Sequence, residues 1–275
     1  MELTAEQFSK LSKLIYKKLG ILFEDKKTYF LNKRVERRIA QLGLASVDEY
    51  LFHLGYCDAG GEEMQALANL VTTNETYMFR EFEQLASFAD YCLPEVIGAR
   101  QRRSERRLRI WCAGCSSGEE AYTLAIIVRE VFPDSKKWEI EITATDIDDN
   151  MLKCARNAVY GERSVKGVPD AYDRHLVPSA TGFRISPDTA SLVRVEKLNL
   201  NDREQMSAMR GYDFIFCRNV LIYFDDDSRR RVLGHFYDAL NPGGYIFLGH
   251  SESVGRITSA FRLKRAEGHL LYIKD

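Results

Sequence analysis

From Leu108 to the C-terminus, short apolar runs alternate with helical patterns, and no other feature of this 275-residue chain restricts its fold as much. LRIWCA precedes a helical segment from Glu119 to Val131, and EIEITATD precedes one from Asn150 to Ala158. YDFIFCRNVLIYF precedes a third from Ser228 to Leu240, after which come YIFLGH and LLYIKD. Strands that alternate with helices predict one doubly wound, largely parallel sheet in an α/β domain. Pro242-Gly243-Gly244 marks the turn into the strand at Tyr245. The alternation breaks between residues 172 and 200. There RISPDTASLVRVEKLNL reads as strand, Pro/Asp turn, strand: a small β-hairpin inserted at about 172–198.

Residues before about 90 follow a helical period. Phe8, Leu11, Leu14 or Ile15, and Leu19 recur on one face, and Leu31, Val35, Ile39 and Leu42 form a second stripe. Gly43 stands where a helix stop is expected. Further helical stretches run from Val47 to Leu54 and from Glu62 to Val71. The reading is a small all-helical domain over 1–90 and an α/β domain over 91–275. Residues 98–109, GARQRRSERRLR, read as a solvated connection. Lys33, Arg34, Arg37 and Arg38 lie opposite the second stripe, as either a solvated face or a docking surface for an acidic partner.

Composition removes several function classes. Net charge is −1, so no global field favours nucleic acid. No apolar run nears the roughly 20 residues of a membrane span. The N-terminal MELTAEQFSKLSKL lacks the basic and apolar blocks of a signal peptide, so the expected location is cytoplasmic. The six cysteines are then expected to be reduced. Cys112 and Cys115 have no second pair at zinc spacing and read as small buried residues, with no metal site.

The stretch 111-WCAGCSSGEEAY-122 admits two chemistries. Gly114, Ser116 and Gly118 fit the G-x-S-x-G of a serine nucleophile elbow. However, the turn closes the first strand of its domain, leaving no place for an oxyanion loop. The histidines at 175, 235, 250 and 269 have no distinctive setting. A cofactor cradle fits better, because Gly114 and Gly118 let the backbone approach a ligand. Glu119 and Glu120 would repel a pyrophosphate but suit a ligand with a cationic end, such as S-adenosylmethionine. NAD is the weaker choice, for want of G-x-G-x-x-G. Asp146, ending the next strand, stands where ribose hydroxyls are held; its other reading is a helix N-cap, a role Asp149 or Asn150 could fill.

Six stretches in order resemble the CheR-type chemotaxis receptor methyltransferases: 72-TTNETYMFRE-81, 114-GCSSGEEAY-122, 144-ATDID-148, 199-NL-200, 216-FCRNVLIYF-224 and 243-GGYIFLGHSES-253. The resemblance implies a class I Rossmann-like methyltransferase domain that moves a methyl group from S-adenosylmethionine to receptor glutamates. It implies that Asn74, Thr76 and Arg80 lie over the cofactor, with Gly114 at the cradle. Glu120 would meet the ammonium, Asp146 the ribose, and Asn199 and Leu200 the adenine. Arg218 and Asn219 would stand beside the cofactor, and Tyr223 and Arg80 would orient the accepting carboxylate. The partner would be the helical cytoplasmic domain of chemoreceptors in their arrays, docked on Lys33, Arg34, Arg37 and Arg38. The short hairpin argues against capture of a receptor C-terminal peptide. A module that binds S-adenosylmethionine or its product without chemistry is the alternative, and a methyltransferase for another carboxylate is a third reading.

Overall fold

The computed structural model describes residues 2–253, 255, 257–266 and 269–275. Its helical part opens with α1 (Ala5–Leu19), α2 (Thr28–Leu42), α3 (Val47–Phe52) and α4 (Glu62–Val71). Thr4 and Gln7 form a reciprocal capping box at the start of α1, and Gly43 ends α2 in the left-handed region. Leu11, Ile15, Leu31, Tyr50 and Leu67 are fully buried in the core these helices enclose.

That core ends at Val71, not near residue 90. Leu85, Phe88, Leu93 and Val96, on α5 (Phe82–Ser87), α6 (Leu93–Arg102) and the turn between them, pack into the sheet's core instead. Their apolar faces match the sheet, and Phe88 sits edge-on to Phe214, Phe216 and Phe247. The supposed connection at 98–109 is therefore partly structure: α6 runs to Arg102, and Arg100 pairs with the buried Asp213.

The α/β part continues with β1 (Arg107–Ala113), α7 (Glu119–Val131), β2 (Glu139–Asp146), α8 (Asp149–Asn157), β3 (Val159–Tyr160) and α9 (Glu162–Val165). Next come β4 (Leu176–Ser179), β5 (Gly182–Ile185), α10 (Pro187–Ala190), β6 (Val193–Lys197), α11 (Arg203–Ala208) and β7 (Tyr212–Cys217). The chain closes with α12 (Asp226–Ala239), β8 (Leu240–Leu248), β9 (Arg262–Ala266) and β10 (His269–Ile273). The main sheet has the order β6-β2-β1-β7-β8-β10-β9. Its first five strands are parallel, and β10 runs antiparallel to β8 and β9. The order reverses between β1 and β7, and crevices at the carboxyl ends of strands open at such points.

An inserted hairpin does lie within 172–198, as β4 and β5, but SPDTASLVRVEK does not form it. Pro187 to Ala190 form α10, because proline is preorganised for a first helical turn. Val193–Lys197 is β6, the edge strand of the main sheet beside β2. The small antiparallel sheet is β3-β5-β4, turning between Ser179 and Gly182. The short hairpin taken to argue against a receptor peptide is thus a helix and a sheet strand. Among the described residues no helix is long and apolar enough to cross a membrane.

Candidate active site

One cavity of about 1110 Å3, counted with its open mouth, lies at the β1/β7 switch point. Its floor comes from the ends of β1, β2 and β7, and its roof from Leu19, Ile21 and the segment Val71 to Arg80. Both domains therefore build it, and polar contacts seat one on the other. Tyr16 donates to Asp225 at 2.7 Å, and Asn199 and Asn201 donate to the carbonyls of Lys18 and Lys17 at 2.8 and 3.2 Å. Gln65 reaches the Ile147 carbonyl at 2.8 Å.

At the end of β1 the chain turns sharply at Gly114, φ +81°, where a Cβ would come 2.4 Å from Val220 Cγ2. Only glycine fits there. The turn is held by N–H groups of Gly114 and Cys115 on the Thr145 carbonyl, at 2.8 and 2.9 Å. Ser116 follows at φ +49°, and its N–H donates to Asp146 Oδ2 at 2.7 Å. The other Asp146 oxygen accepts Asp148 N–H at 2.9 Å. Burial raises the Asp146 carboxyl above its ordinary value, and these N–H groups pull it back. Each oxygen keeps a lone pair free for a hydroxyl.

Glu120, in the first turn of α7, lines the same cavity. Its Oε1 accepts Cys112 Sγ at 2.8 Å, and its Oε2 pairs with Arg218 Nη1 at 3.1 Å. Burial pushes the Cys112 thiol well up, so it remains a donor. Arg218 is buried and also pairs with Glu81 at 3.1 Å. Glu81 in turn faces His250 Nδ1 at 3.2 Å. Burial alone would raise the Glu81 carboxyl, but Arg218 and His250 bring it below its ordinary value.

The remaining residues singled out in the sequence line the same cavity with differing freedom. The Asn74 amide donates to Asp148 at 2.9 Å and to Thr72 Oγ1 at 3.2 Å, so it fastens the roof. Thr76 and Leu200 line the wall. Asn199 lines it too, but its amide donates to the Lys18 carbonyl, its N–H to Gln205 Oε1 at 2.9 Å, and its carbonyl accepts Asp202 N–H at 2.9 Å. Arg80 lies over the Tyr77 ring and donates to the Glu75 carbonyl at 2.9 Å; no carboxylate pairs with it among the described residues. Asn219 is left-handed, φ +60°. Tyr223 is half-buried at the mouth, and its hydroxyl has no partner among the described residues.

Ser116 has none of the surroundings of a nucleophile. Its hydroxyl lies 3.5 Å from the Asn74 carbonyl, and no histidine lines the cavity among the described residues. His175 does have a distinctive setting, buried between Glu130 and Thr189, but that belongs to the packing of α7 on the small sheet. The His269 side chain lies outside the described residues. Asp148, not Asp149 or Asn150, caps α8, and it also accepts Thr72 and Asn74. Glu81 and Asp148 beside the cavity, and Glu252 behind it, were not expected. Each stands inside a quoted motif; for Asp148 and Glu252 an acid after a strand's carboxyl end was the available signal.

Four basic residues on α2 do not form one surface. Arg38 makes a bidentate pair with Glu63, which is 4% exposed, and Arg34 stacks on Phe30 and donates to the Leu70 carbonyl at 2.6 Å. Aliphatic stems and planar guanidinium groups cover the apolar stripe here. Only Lys33 and Arg37 are exposed.

A parallel sheet whose first strand ends in a glycine turn, with carboxylates facing an enclosed crevice, defines an adenosyl-binding α/β domain, and a ligand with ammonium and ribose groups fits its donors and acceptors. The model of the CheR methyltransferase SAM-binding domain matches residues 74–269, and that of the CheR all-alpha domain matches residues 6–72. Chemotaxis protein methyltransferase 2 of Vibrio cholerae is 40% identical over 99% of this chain and 94% of its own length. The chemotaxis protein methyltransferases of Escherichia coli and Borreliella burgdorferi are 33% and 31% identical, over 96% and 92% of this chain and 90% of their own lengths. The chain belongs to the CheR methyltransferase family, and S-adenosylmethionine is its cofactor. It is a methyltransferase of chemotaxis.

Proposed function

We propose that this protein esterifies glutamate side chains of chemoreceptors, giving glutamate methyl esters and S-adenosylhomocysteine. S-adenosylmethionine supplies a methyl group on a positively charged sulfur. Glu120 would hold the ammonium and Asp146 the ribose hydroxyls, with Asn199 and Leu200 bordering the adenine. Arg218 keeps Glu120 in place and is itself neutralised by Glu81. Asn74, Thr76, Gly114 and Asn219 shape the walls.

The observation that carries the reading is the mouth. Among the described residues it offers a hydroxyl and a guanidinium without anionic partners, Tyr223 and Arg80, and the cavity is lined by no histidine. A glutamate side chain titrates near ~4.3, so it is ionised at neutral pH and needs no general base. It needs only to lose water and be held about 3–3.5 Å from the methyl carbon, in line with the breaking bond. Tyr223 and Arg80 can hold it there. Opposite charges cancel as the methyl moves, which a cavity drier than water favours.

Lys33 and Arg37, exposed on α2, support an acidic helical partner; Arg34 and Arg38, bound within their own domain, do not. Recruitment to receptor arrays in the cytoplasm is part of the same proposal. A module that binds the cofactor without chemistry is not favoured, since the mouth would then have no use for the unpaired Tyr223 and Arg80. Receptor-containing membranes incubated with the protein and labelled S-adenosylmethionine should gain base-labile label. Mass spectrometry should place it on glutamates. Label on another residue type, or none, would refute the proposal.

A further inference from the structure

The stretch GHSES follows β8 and brings the carboxylate of Glu252 against the back of the loop that ends β7. Glu252 is not in the cavity wall. Its Oε2 accepts Asn219 N–H and Gly249 N–H, each at 2.8 Å, and its Oε1 accepts Ile222 N–H at 3.2 Å. No cation pairs with it among the described residues. Burial pushes the Glu252 carboxyl above its ordinary value, and only backbone N–H groups oppose that. A buried acid of this kind is costly unless it holds something in place.

What it holds is unusual backbone. Asn219 sits at φ +60°, a conformation that persists only where surrounding contacts fix it. A Cβ on Gly249 would lie 2.9 Å from Asn219 N, so the ends of β7 and β8 touch here. At its other end the loop reaches Tyr223, whose carbonyl accepts Leu22 N–H at 3.1 Å. Among the described residues the Tyr223 hydroxyl has no bond of its own, so its location follows from this backbone.

We propose that Glu252 is a positioning residue for methyl transfer: its carboxylate clamps the loop Asn219 to Tyr223 from behind and sets where the Tyr223 hydroxyl stands. The inference rests on the reading of Tyr223 as the group that orients the accepting carboxylate. Its bonds are charge-assisted, and replacing the carboxylate by an amide turns one acceptor into a donor that faces an N–H.

The full chain carrying Glu252→Gln, Tyr223→Phe or both is assayed with receptor membranes and labelled S-adenosylmethionine, and S-adenosylhomocysteine affinity is measured by calorimetry. Glu252→Gln should lower kcat about tenfold, with the receptor KM and the S-adenosylhomocysteine affinity held within about twofold. The double variant should be no slower than the slower single one, because both changes act through one hydroxyl. If Glu252→Gln does not accumulate, Glu252→Asp, which keeps the charge and shortens the reach, carries the same expectations. Normal kcat in the Glu252 variants beside a slow Tyr223→Phe, or losses that multiply, overturn this inference alone. Normal turnover in Tyr223→Phe overturns the reading of Tyr223 and this inference with it.

Discussion

Arg38→Met removes one half of a buried ion pair, and the loss follows from the surroundings. Glu63 is 4% exposed and accepts Arg38 Nε at 2.9 Å, Arg38 Nη2 at 2.5 Å and Tyr50 Oη at 2.8 Å. Without Arg38, Oε2 has no partner and the charge rests on one phenol. Breaking a buried pair in this way costs about 3–5 kcal/mol. The Arg38 side chain is 17% exposed, so water reaches the gap and a loss of about 2–3 kcal/mol is expected. Arg37 is exposed, and Arg37→Met should stay within about 0.5 kcal/mol of the parent. Urea denaturation followed by helical circular dichroism measures both. Adding Glu63→Gln to Arg38→Met should restore part of the loss, since the stranded charge is gone. The reasoning fails if Arg38→Met costs less than about 1 kcal/mol, or if Arg37→Met costs as much as Arg38→Met. Lys33→Glu and Arg37→Glu together should raise the receptor KM without lowering stability, and an unchanged KM would make those two residues a solvated face.

Gly114→Ala should abolish S-adenosylhomocysteine binding by calorimetry, because its Cβ must displace Val220 at the cavity wall, while Gly43→Ala, at φ +68° with open space around it, should cost about 1–2 kcal/mol of stability and leave binding intact. Equal binding in the two variants would show that the close approach at Gly114 is not used. Burial alone would raise the Asp225 carboxyl, but hydrogen bonds from Tyr16 and Ser228 bring it below its ordinary value. A depressed folded-state value means the stabilisation is present above the unfolded value of about 3.9 and is lost as pH falls through the folded one. Acid titration of stability should therefore fall more steeply below about pH 4 in the parent than in Asp225→Asn. Parallel curves would remove Asp225 from the domain contact.

The α/β part was legible because alternating strand and helix patterns have few ways to pack, and the first glycine turn lies at the end of the first strand. The residues expected around the cofactor come from five separated stretches, and periodicity could not bring them together; ordered motifs did. Reading failed where the same residue types serve two purposes. Ser186 to Lys197 combined a turn signal with two valines at strand spacing, and only the free edge of β2 decided that they become a helical turn and a sheet strand. The arginines of α2 have equal charge, yet the buried Glu63 claims one of them.

By itself the sequence determined the alternation of strands and helices from Leu108, the glycine turn at Gly114 and the acids at strand ends, since these depend on local sterics and short-range periodicity. Tertiary structure alone decided the rest. Whether a carboxylate meets a ligand, as Glu120 can, or a loop's N–H groups, as Glu252 does, depends on which chain segments pack behind it, and burial then sets the cost of leaving it unpaired.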